Sequence, residues 1–255
     1  MFAKERQESI AKLIQEKESV SVVELSELYD ISEVTIRKDL EELQKQRRII
    51  RTHGGAVSLY KPTSVFSFQD LSVKCIEEKQ RIAKAAVELI ADGDSIMLDG
   101  STTVQELAKL IVESERKDLT IITTSLNTAI LFKDRESVTV MLVGGLLNFK
   151  MNTTESVTAE RQLRDLYADK SFVGINGIDS EFGFSTFSTY EAAIKRSFAD
   201  SAREPYLLAD HTKFDKKYMV KVAGLERSYR AIITNRKHGC DYSEYERKID
   251  IIYAE

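Results

Sequence analysis

The sequence predicts a chain of two parts, a small helical unit with a β-hairpin and a larger α/β unit. Two changes of pattern along its 255 residues indicate this division. Apolar residues recur at helical spacing over residues 1–57, whereas from residue 75 to 255 short apolar runs alternate with helical patterns. Residues 58–74 follow neither period clearly and contain Pro62, so we predict a linker there.

The first unit is predicted to contain three helices and a hairpin. The first helix places three apolar residues on one face, namely Ile10, Leu13 and Ile14. The second begins at Ser21, a favourable N-cap, and Glu24 three residues later completes a capping box. Its apolar residues at helical spacing are Val22, Leu25, Leu28 and Tyr29.

Ser32 is predicted to cap the third helix. The buried stripe of that helix is Ile36, Leu40 and Leu43. Two short β-prone runs, RIIRT and GAVSL, flank a His-Gly-Gly turn at 53–55 and predict the hairpin. Three short helices followed by a hairpin are typical of a winged helix-turn-helix, whose third helix lies in the major groove of DNA.

The charge distribution favours a nucleic-acid contact in this unit. The whole chain has a net charge of −4. Residues 1–36 hold four Arg and Lys residues against eight acids, whereas residues 37–53 hold six against three. A basic segment in an acidic chain indicates a local binding site.

Individual roles follow from position on the third helix. Arg37 is placed to read a guanine edge, Lys38 to contact a phosphate, and Thr35 to bind a phosphate near the helix N-terminus. The pattern alone also fits a solvated amphipathic helix beside a hairpin. The predicted DNA contacts are Ser32, Val34, Thr35, Arg37, Lys38, Arg48, Arg51, His53 and Gly54.

Two segments of this unit resemble the N-terminal domain of DeoR-family transcriptional repressors. They are VSVVELSELYDISEVTIRKDLEEL at 20–43 and RTHGGAV at 51–57. In that family a T-[IV]-R-[RK]-D-L helix core recurs together with an R-x-H-G-G-A wing. The resemblance implies binding to double-stranded operator DNA.

One residue departs from the family pattern. The family usually has Gly after the recognition helix, where this chain has Arg47. A non-Gly residue in a left-handed C-cap costs about 1 kcal/mol. We therefore expect a differently built or strained helix end, or an added phosphate contact from Arg47.

The second unit is predicted to be an α/β domain with a largely parallel sheet. Its strands are SIMLD, LTIIT, VTVMLVGG, KSFVGING, PYLLAD, RAIITN and KIDIIYA. Such sheets bind ligands in the crevice at the carboxyl ends of their strands. The residues at those ends are Asp99, Thr123-Thr124, Gly144-Gly145, Gly174 to Gly177 and Asp210.

The turn after SIMLD has the chemistry of a phosphate site. Free N–H groups, hydroxyls and a positive helix end suit a phosphate dianion, here at Gly100, Ser101, Thr102 and Thr103. The turn TTSLN offers Thr124, Ser125 and Asn127 in the same way. Both turns equally fit ordinary Ser-capped helix starts, and Gly144-Gly145 equally fits an ordinary turn.

The second unit also resembles the DeoR sensor domain over nearly its full length. The matching segments are, in order, LDGSTTVQELA, TTSLNTAI, LVGGLLN, FVGINGID and LADHTKF. The resemblance implies a fold similar to ribose-5-phosphate isomerase and coenzyme A transferases, and a phosphorylated sugar or sugar alcohol as ligand. Many family members have Gly where this chain has Ser101, so a less open loop is expected.

The resemblance adds two further pairs to the predicted ligand site. It turns the helix bearing Glu191 and Lys195 toward the sugar, although these residues also fit a surface ion pair. Asp210 and Lys213 match a D-x-[ST]-K segment, in which the lysine neutralises a phosphate, although a solvated lysine is the alternative. The complete predicted set is Asp99, Ser101, Thr102, Thr103, Thr124, Ser125, Asn127, Gly144, Gly145, Gly177, Asp179, Glu191, Lys195, Asp210 and Lys213.

Neither a metal nor a cofactor is predicted. His211 has no second histidine or cysteine at metal-ligand spacing. The two cysteines, Cys75 and Cys240, form no CxxC pair and fit a reducing compartment. The longest apolar run is far shorter than the roughly 20 residues of a membrane helix, so we expect a cytoplasmic protein with no membrane partner.

Two functions remain open from the sequence. The first is a sugar-responsive transcriptional regulator, most simply a repressor acting as a dimer or tetramer and released by a phosphorylated sugar; activation is not separable by sequence. The second is a sugar-phosphate isomerase with an accessory DNA-binding domain, in which Asp99, Asp179 or Glu191 would act with Lys213.

Overall fold

The computed structural model describes residues 3–17, 19–46, 48–52, 54–58, 67–226 and 228–255. The chain divides into two compact units, Met1–Val65 and Phe66–Glu255. Each unit has its own hydrophobic core. No helix within the described ranges is both long enough and apolar enough to cross a bilayer.

The first unit is a winged helix-turn-helix, as predicted. Its elements are α1 (Ala3–Lys17), β1 (Ser19–Ser21), α2 (Val22–Tyr29), α3 (Glu33–Lys45), β2 (Ile49–Thr52) and β3 (Gly55–Ser58). The hairpin β2–β3 is joined by β1 in an antiparallel sheet of order β1-β3-β2. The sequence analysis did not anticipate β1.

The helix starts of this unit follow the predicted caps. The Oγ of Ser21 accepts the N–H of Glu24 at 3.0 Å, and the Oγ of Ser32 accepts the N–H of Thr35 at 3.4 Å. The predicted stripe Ile36, Leu40 and Leu43 is fully buried. Leu28 is 59 % exposed, so the buried stripe of α2 is narrower than its spacing indicates.

A buried ion pair links α1 to α3. Arg6 donates from Nε to Oδ2 of Asp39 at 2.6 Å, and the amide of Gln7 donates to Oδ1 at 2.9 Å. Both charged side chains are at most 10 % exposed. Asp39 therefore faces the interior, although Arg37 and Lys38 beside it in the motif are exposed.

The second unit is the predicted α/β domain. It begins with α4 (Phe68–Val73), α5 (Ile76–Val87), β4 (Ser95–Leu98), α6 (Thr102–Glu113), β5 (Leu119–Thr123), α7 (Leu126–Leu131), β6 (Val138–Leu142), β7 (Leu147–Asn148), β8 (Thr153–Thr154) and α8 (Val157–Arg164). It continues with β9 (Ala168–Gly174), β10 (Gly177–Asp179), β11 (Gly183–Thr186), α9 (Thr189–Asp200), β12 (Ala202–Leu208), a 3-10 turn (His211–Lys213), β13 (Val220–Ala223), β14 (Ala231–Asn235), α10 (Ser243–Glu246) and β15 (Asp250–Ala254).

Seven strands form one sheet of order β15-β14-β12-β9-β4-β5-β6, in which every pairing is parallel. Alternate residues of these strands enter different cores. Leu207 and Ile232 pack in a core with α8 and α9, whereas Leu208 and Ile233 pack in a core with α5 and α6. A sheet buried on both faces explains the continuous apolar strands of the sequence.

A smaller sheet of order β10-β11-β13 and the hairpin β7–β8 complete the unit. The sequence analysis did not anticipate them, because their strands have only two to four residues each. Such short strands give no readable alternation.

Only part of the segment predicted as a linker, 58–74, lies within the described residues. Ser58 ends β3, and residues 59–66 lie outside the described residues. Ser67 starts α4 with a capping box to Asp70, and the N–H of Phe68 donates to the carbonyl of Lys150 at 2.8 Å. These bonds attach α4 to the larger unit.

Candidate DNA-binding surface and ligand site

The outer face of α3 carries the predicted base-reading residues. Burial of the apolar stripe turns Val34, Arg37 and Lys38 outward, and Val34 is 64 % exposed. The hydroxyls of Ser32 and Thr35 lie 3.1 Å apart at the helix start. This face therefore presents one apolar and two cationic side chains beside a helix N-terminus, which suits a DNA groove.

Two of the predicted cations are paired within the unit. Arg37 donates to Glu33 one turn earlier at 2.9 Å, with both side chains about half exposed. Arg48 forms two bonds to Glu8, at 2.6 and 2.9 Å, and these raise the pKa of Arg48 and lower that of Glu8. Exposed pairs of this kind contribute about 0–1 kcal/mol, so either cation can exchange its partner for a phosphate at small cost.

The two glycines of the wing motif have different surroundings. Gly54 is exposed, with open space where a Cβ would lie. A Cβ on Gly55 would lie 2.1 Å from the carbonyl oxygen of Val20 in β1, so Gly55 permits strand packing. Arg51 is exposed on β2. His53 and Arg47 lie outside the described residues.

In the second unit, the loop after β4 is built on Asp99. This carboxylate is 2 % exposed and accepts from the Ser101 N–H at 3.0 Å, the Gly174 N–H at 3.1 Å and the Lys195 Nζ at 2.8 Å. Lys195 also donates to the Gly174 carbonyl at 2.9 Å. Asp99 thus joins the ends of β4 and β9 to α9.

Lys195 is a buried cation rather than a surface one. Its side chain is 7 % exposed, and its Nζ lies 3.5 Å from Oε1 of Glu191. Burial opposes the charge, but Asp99 and Glu191, with Glu155 beyond them, outweigh it and raise the pKa of Lys195. The hydroxyl of Thr186 donates to the other oxygen of Glu191.

The loops after β4 and β5 meet at the hairpin β7–β8. A Cβ on Gly100 would lie 2.0 Å from the Cγ2 of Thr153, and Ser125 forms a β-bridge with Thr153. The N–H of Thr154 donates to the carbonyl of Thr124 at 2.8 Å. The structure therefore brings together two of the predicted turns through a hairpin that sequence reasoning did not place there.

Several predicted hydroxyls and amides already have protein partners. Ser101 and Ser125 cap α6 and α7 by accepting the N–H groups of Val104 and Thr128. Thr102 and Thr103 are at most 8 % exposed. Asn127 accepts from Asn152 at 3.2 Å. The capping interpretation of both turns accounts for the serine hydroxyls.

Two predicted positions serve turns instead of an open crevice. Asp179 accepts the N–H groups of Glu181 and Phe182 at 3.1 and 2.6 Å, which closes the turn between β10 and β11. A Cβ on Gly177 would lie 2.6 Å from the carbonyl of Lys216. Their residue types are accounted for by local packing.

The paired glycines after β6 face α8. Gln162 accepts the N–H of Gly144 at 3.3 Å and donates to its carbonyl at 3.1 Å. A Cβ on Gly145 would lie 2.6 Å from the Oγ of Ser156. Close packing therefore explains Gly145, while Gly144 is exposed.

The segment after β12 places Asp210 and Lys213 one turn apart. Asp210 is 1 % exposed and accepts the N–H of Thr212 at 3.0 Å. The Nζ of Lys213 lies 3.9 Å from Oδ2 of Asp210, and its side chain is 26 % exposed. Lys213 is thus a partly accessible cation at the carboxyl edge of the sheet.

The amino-acid sequence matches two family models. Residues 6–61 match the DeoR-like helix-turn-helix domain, and residues 74–236 match the DeoR C terminal sensor domain. The chain belongs to the DeoR family. It is a DNA-binding transcriptional regulator, as the sequence analysis predicted.

Curated relatives agree along most of the chain. The HTH-type transcriptional regulator GolR of Listeria innocua is 34 % identical over 96 % of both chains. YulB, an HTH-type transcriptional regulator of Bacillus subtilis, is 33 % identical over 91 % of this chain and 89 % of its own. The glycerol-3-phosphate regulon repressor of Escherichia coli is 31 % identical over 87 % and 86 %.

Solved structures give a weaker likeness. Ribose 5-phosphate isomerase A of Methanocaldococcus jannaschii is 20 % identical, covers 55 % of this chain and 54 % of its own, and has a TM-score of 0.39. A TM-score of this size carries no argument about activity.

Sequence reasoning missed two residues near the candidate ligand site. Thr153 lies against Gly100 of the loop after β4, and its hydroxyl donates to Glu155 at 2.9 Å. Glu155 also acts on the charge of Lys195. The only sequence signal was the polar run NTTES, which has no period and resembles any loop.

Proposed function

We propose that this protein represses sugar-metabolism genes by binding operator DNA as a homo-oligomer, and that a phosphorylated sugar or sugar alcohol releases it. The observation that carries the DNA part is the exposed face of α3, where Val34, Arg37 and Lys38 stand opposite a fully buried stripe. A repressor that reads two half-sites needs two such helices, which favours a dimer or tetramer.

The proposed DNA contacts divide by role. Arg37 and Val34 read base edges, while Lys38, Thr35 and Ser32 hold phosphates near the helix start. On the wing, Arg51 and Gly54 approach the backbone, and Arg48 joins them when its exposed pair with Glu8 opens.

The proposed effector site is the carboxyl edge of the large sheet. The first N–H groups of α6, at Thr102 and Thr103, have no partner within the helix and suit a phosphate. Thr124, Gly144 and Asp210 provide further polar groups, and Lys213 provides accessible positive charge. The relative named for glycerol-3-phosphate supports an effector of this chemical class.

Asp99, Glu191 and Lys195 have a supporting role in this proposal. Asp99 accepts from three donors, which fixes the loop that carries the phosphate-binding N–H groups. Lys195 keeps its charge under that loop because Asp99 and Glu191 outweigh the cost of its burial, and its role is to hold Asp99 in place. Ser101, Ser125, Asn127 and Gly145 shape loops at this edge through the contacts described above, whereas Gly177 and Asp179 serve local packing and the turn between β10 and β11.

We propose further that the protein is not an isomerase and acts in the cytoplasm. A general base needs a carboxylate free to take a proton from the substrate. Asp99 and Asp179 are instead engaged by three and two donors, and Glu191 is bonded to Thr186 and paired with Lys195. The curated relatives are named as regulators, which favours the same conclusion.

Fluorescence anisotropy tests both halves of the proposal. The full-length protein is titrated onto its own upstream DNA at one fixed salt concentration, with and without a panel of sugar phosphates and sugar-alcohol phosphates. We expect specific binding that one compound releases. Specific binding that no compound alters would reject the effector class, and aldose–ketose interconversion by the protein would reject the non-enzymatic role.

A variant locates the effector site. Lys213→Ala is expected to leave operator affinity unchanged while raising the effector concentration needed for release, because it removes one charge partner of the phosphate. Lys133→Ala, which removes an exposed cation after α7, is the matched control. Equal release curves for wild type and Lys213→Ala would remove Lys213 from the site.

A further inference from the structure

Four side chains with metal-binding atoms converge between α5 and the end of β12. They are Cys75, Glu78, Asp210 and His211, and one ligand atom from each lies within 4.8 Å of the others. The residues near His211 in the sequence predicted no metal site, because no other histidine or cysteine lies at metal-ligand spacing from it. The packing of α5 against β14 and β15 brings Cys75 to it from 136 residues away.

Local structure holds these side chains in place. Cys75 precedes α5 and Glu78 lies in its first turn. Asp210 and His211 follow β12 at the start of the 3-10 turn, and the Nδ1 of His211 lies 2.6 Å from Oε2 of Glu78. Glu78 and Asp210 are at most 7 % exposed, so two carboxylates are withdrawn from water at one point.

A second observation at the same edge is an unpartnered amide. Asn235 ends β14 and is 2 % exposed, and neither its Oδ1 nor its Nδ2 has a hydrogen-bond partner among the described residues. Strand alternation places its side chain on the face of Ile233, the face that packs in one core with α5. Leu208 pairs with Ile233 across β12 and β14, so Asp210 and Asn235 each lie two residues beyond the last pair of these strands, at the same edge of the sheet. A buried amide without a partner is costly unless a further group binds it.

We propose that Cys75, Glu78, Asp210 and His211 form a binding site for a divalent transition-metal ion of the zinc class. Thiolate and imidazole ligands select zinc and cobalt over magnesium and calcium. Four protein ligands of this type match the four-coordinate preference of zinc. The partly exposed side chains of Cys75 and His211 give an ion access from solvent.

Lysines are the competing partners of these carboxylates. Lys237 lies 3.5 Å from Glu78, and Lys213 lies 3.9 Å from Asp210. Both lysine side chains are partly exposed, at 51 % and 26 %, so they can withdraw into water when a dication binds. A network of ion pairs without a metal would explain the two carboxylates, but it would not explain the Cys75 thiol beside them.

A reactive cysteine is the other reading of this cluster. Burial, followed by the charges of Asp210 and Glu78, raises the pKa of the Cys75 thiol. A reactive thiolate requires the opposite surroundings. Two buried carboxylates within 4.8 Å of the thiol disfavour a thiolate in the free protein, whereas a bound cation favours one, with the proton released to solvent.

Cobalt substitution tests the site directly. The full-length protein, stripped with a chelator, is titrated with Co²⁺ and the absorption spectrum is recorded. We expect one equivalent per chain with a thiolate-to-cobalt charge-transfer band, reversed by one equivalent of Zn²⁺. Cys75→Ser should abolish the band and weaken Co²⁺ binding by about 100-fold, because even the loss of a residue that only orients a metal ligand costs up to about that much.

The chain offers matched controls. Cys240→Ser removes the other cysteine, which is exposed and not among the four, and should leave the band unchanged. His211→Ala should weaken Co²⁺ binding, whereas His238→Ala, which changes a histidine outside the four, should leave it unchanged. A band that persists in Cys75→Ser, or that Cys240→Ser removes equally, would overturn the proposal, as would weak binding that all variants share.

Wild-type protein gives an independent readout if a variant fails to fold. Alkylation of each cysteine is followed by peptide mass spectrometry with and without Zn²⁺. We expect Zn²⁺ to slow modification of Cys75 about tenfold while Cys240 is unaffected, because a metal-bound sulfur is a poor nucleophile. Unchanged modification of Cys75 at saturating Zn²⁺ would reject the site.

Discussion

The outer face of α3 and the loop after β4 both contain motif residues. The charged motif residues on the outer face of α3 are exposed, whereas those that support the loop are buried. In α3, Arg37 and Lys38 are exposed, and the Glu33 carboxylate that pairs with Arg37 is also at the surface. In the loop, Asp99 and its partner Lys195 are at most 7 % exposed. The side chains proposed to read DNA must remain in solvent. The proposed phosphate-binding loop is instead fixed by buried side chains, so that its backbone N–H groups can bind the phosphate.

The two regions also differ in what a substitution should measure. Changes on α3 should alter binding and leave stability nearly unchanged, because exposed pairs contribute little. Changes beneath the loop should alter stability first, because they leave a buried charge without its partner.

Lys195→Met should have the largest effect. It leaves Asp99 buried and without its cation, which costs about 3–5 kcal/mol. Urea unfolding of the full-length protein measures the loss in the transition of the larger unit. The exposed Lys133→Met is the control and should stay within about 1 kcal/mol of wild type. Equal stabilities would mean that backbone donors alone sustain Asp99.

Asp39→Ala tests the one charged motif residue of α3 that faces inward. It leaves Arg6 buried and unpaired, so the winged helix-turn-helix unit should lose about 3 kcal/mol. Operator and unrelated DNA should lose affinity in equal proportion, because folding rather than reading is affected. A selective loss of operator binding would instead assign Asp39 to DNA recognition.

Arg37→Ala should show the reverse behaviour. Specific binding is expected to weaken by about 1–3 kcal/mol, with relaxed preference at one operator position and nearly unchanged unfolding. Lys38→Ala is the matched cation control and should weaken all sequences alike, reducing the salt-dependence slope by about 1. If Arg37→Ala left specific binding intact, our placement of the reading face would be wrong.

Asp169→Asn should have the smallest effect and touch neither region. The N–H of Ser95, followed by its hydroxyl, lowers the pKa of Asp169 at the amino edge of the sheet. A lowered pKa means that the stabilisation is present at neutral pH and is lost as the pH falls through the folded-state pKa. Since the side chain is 34 % exposed, we expect only about 1 kcal/mol at pH 7, measured by urea unfolding across pH.

The Asp169→Asn comparison has a second readout. The free energies of unfolding of wild type and Asp169→Asn should converge at acid pH. The two proteins should also have the same affinity for DNA and the same affinity for the effector. A difference in effector release between them would connect the amino edge of the sheet to the ligand site and weaken the contrast drawn here.

The sequence by itself determined the elements whose cause is local. Spacing alone identified the buried stripe of α3, and Ser21 and Ser32 cap the helices that they were predicted to cap. Apolar strands between helices likewise predicted the parallel sheet. These features depend on residues within one or two turns of each other, which a linear pattern records.

Only the tertiary structure decided which distant residues meet. Arg6 pairs with Asp39, Asp99 with Lys195, and Cys75 approaches His211, across separations that no periodicity encodes. Strand order and the packing of helices on each sheet face set those contacts. Lys195, which in the sequence also fitted a surface ion pair, is therefore a buried partner of Asp99, and Cys75 lies beside three other side chains with metal-binding atoms.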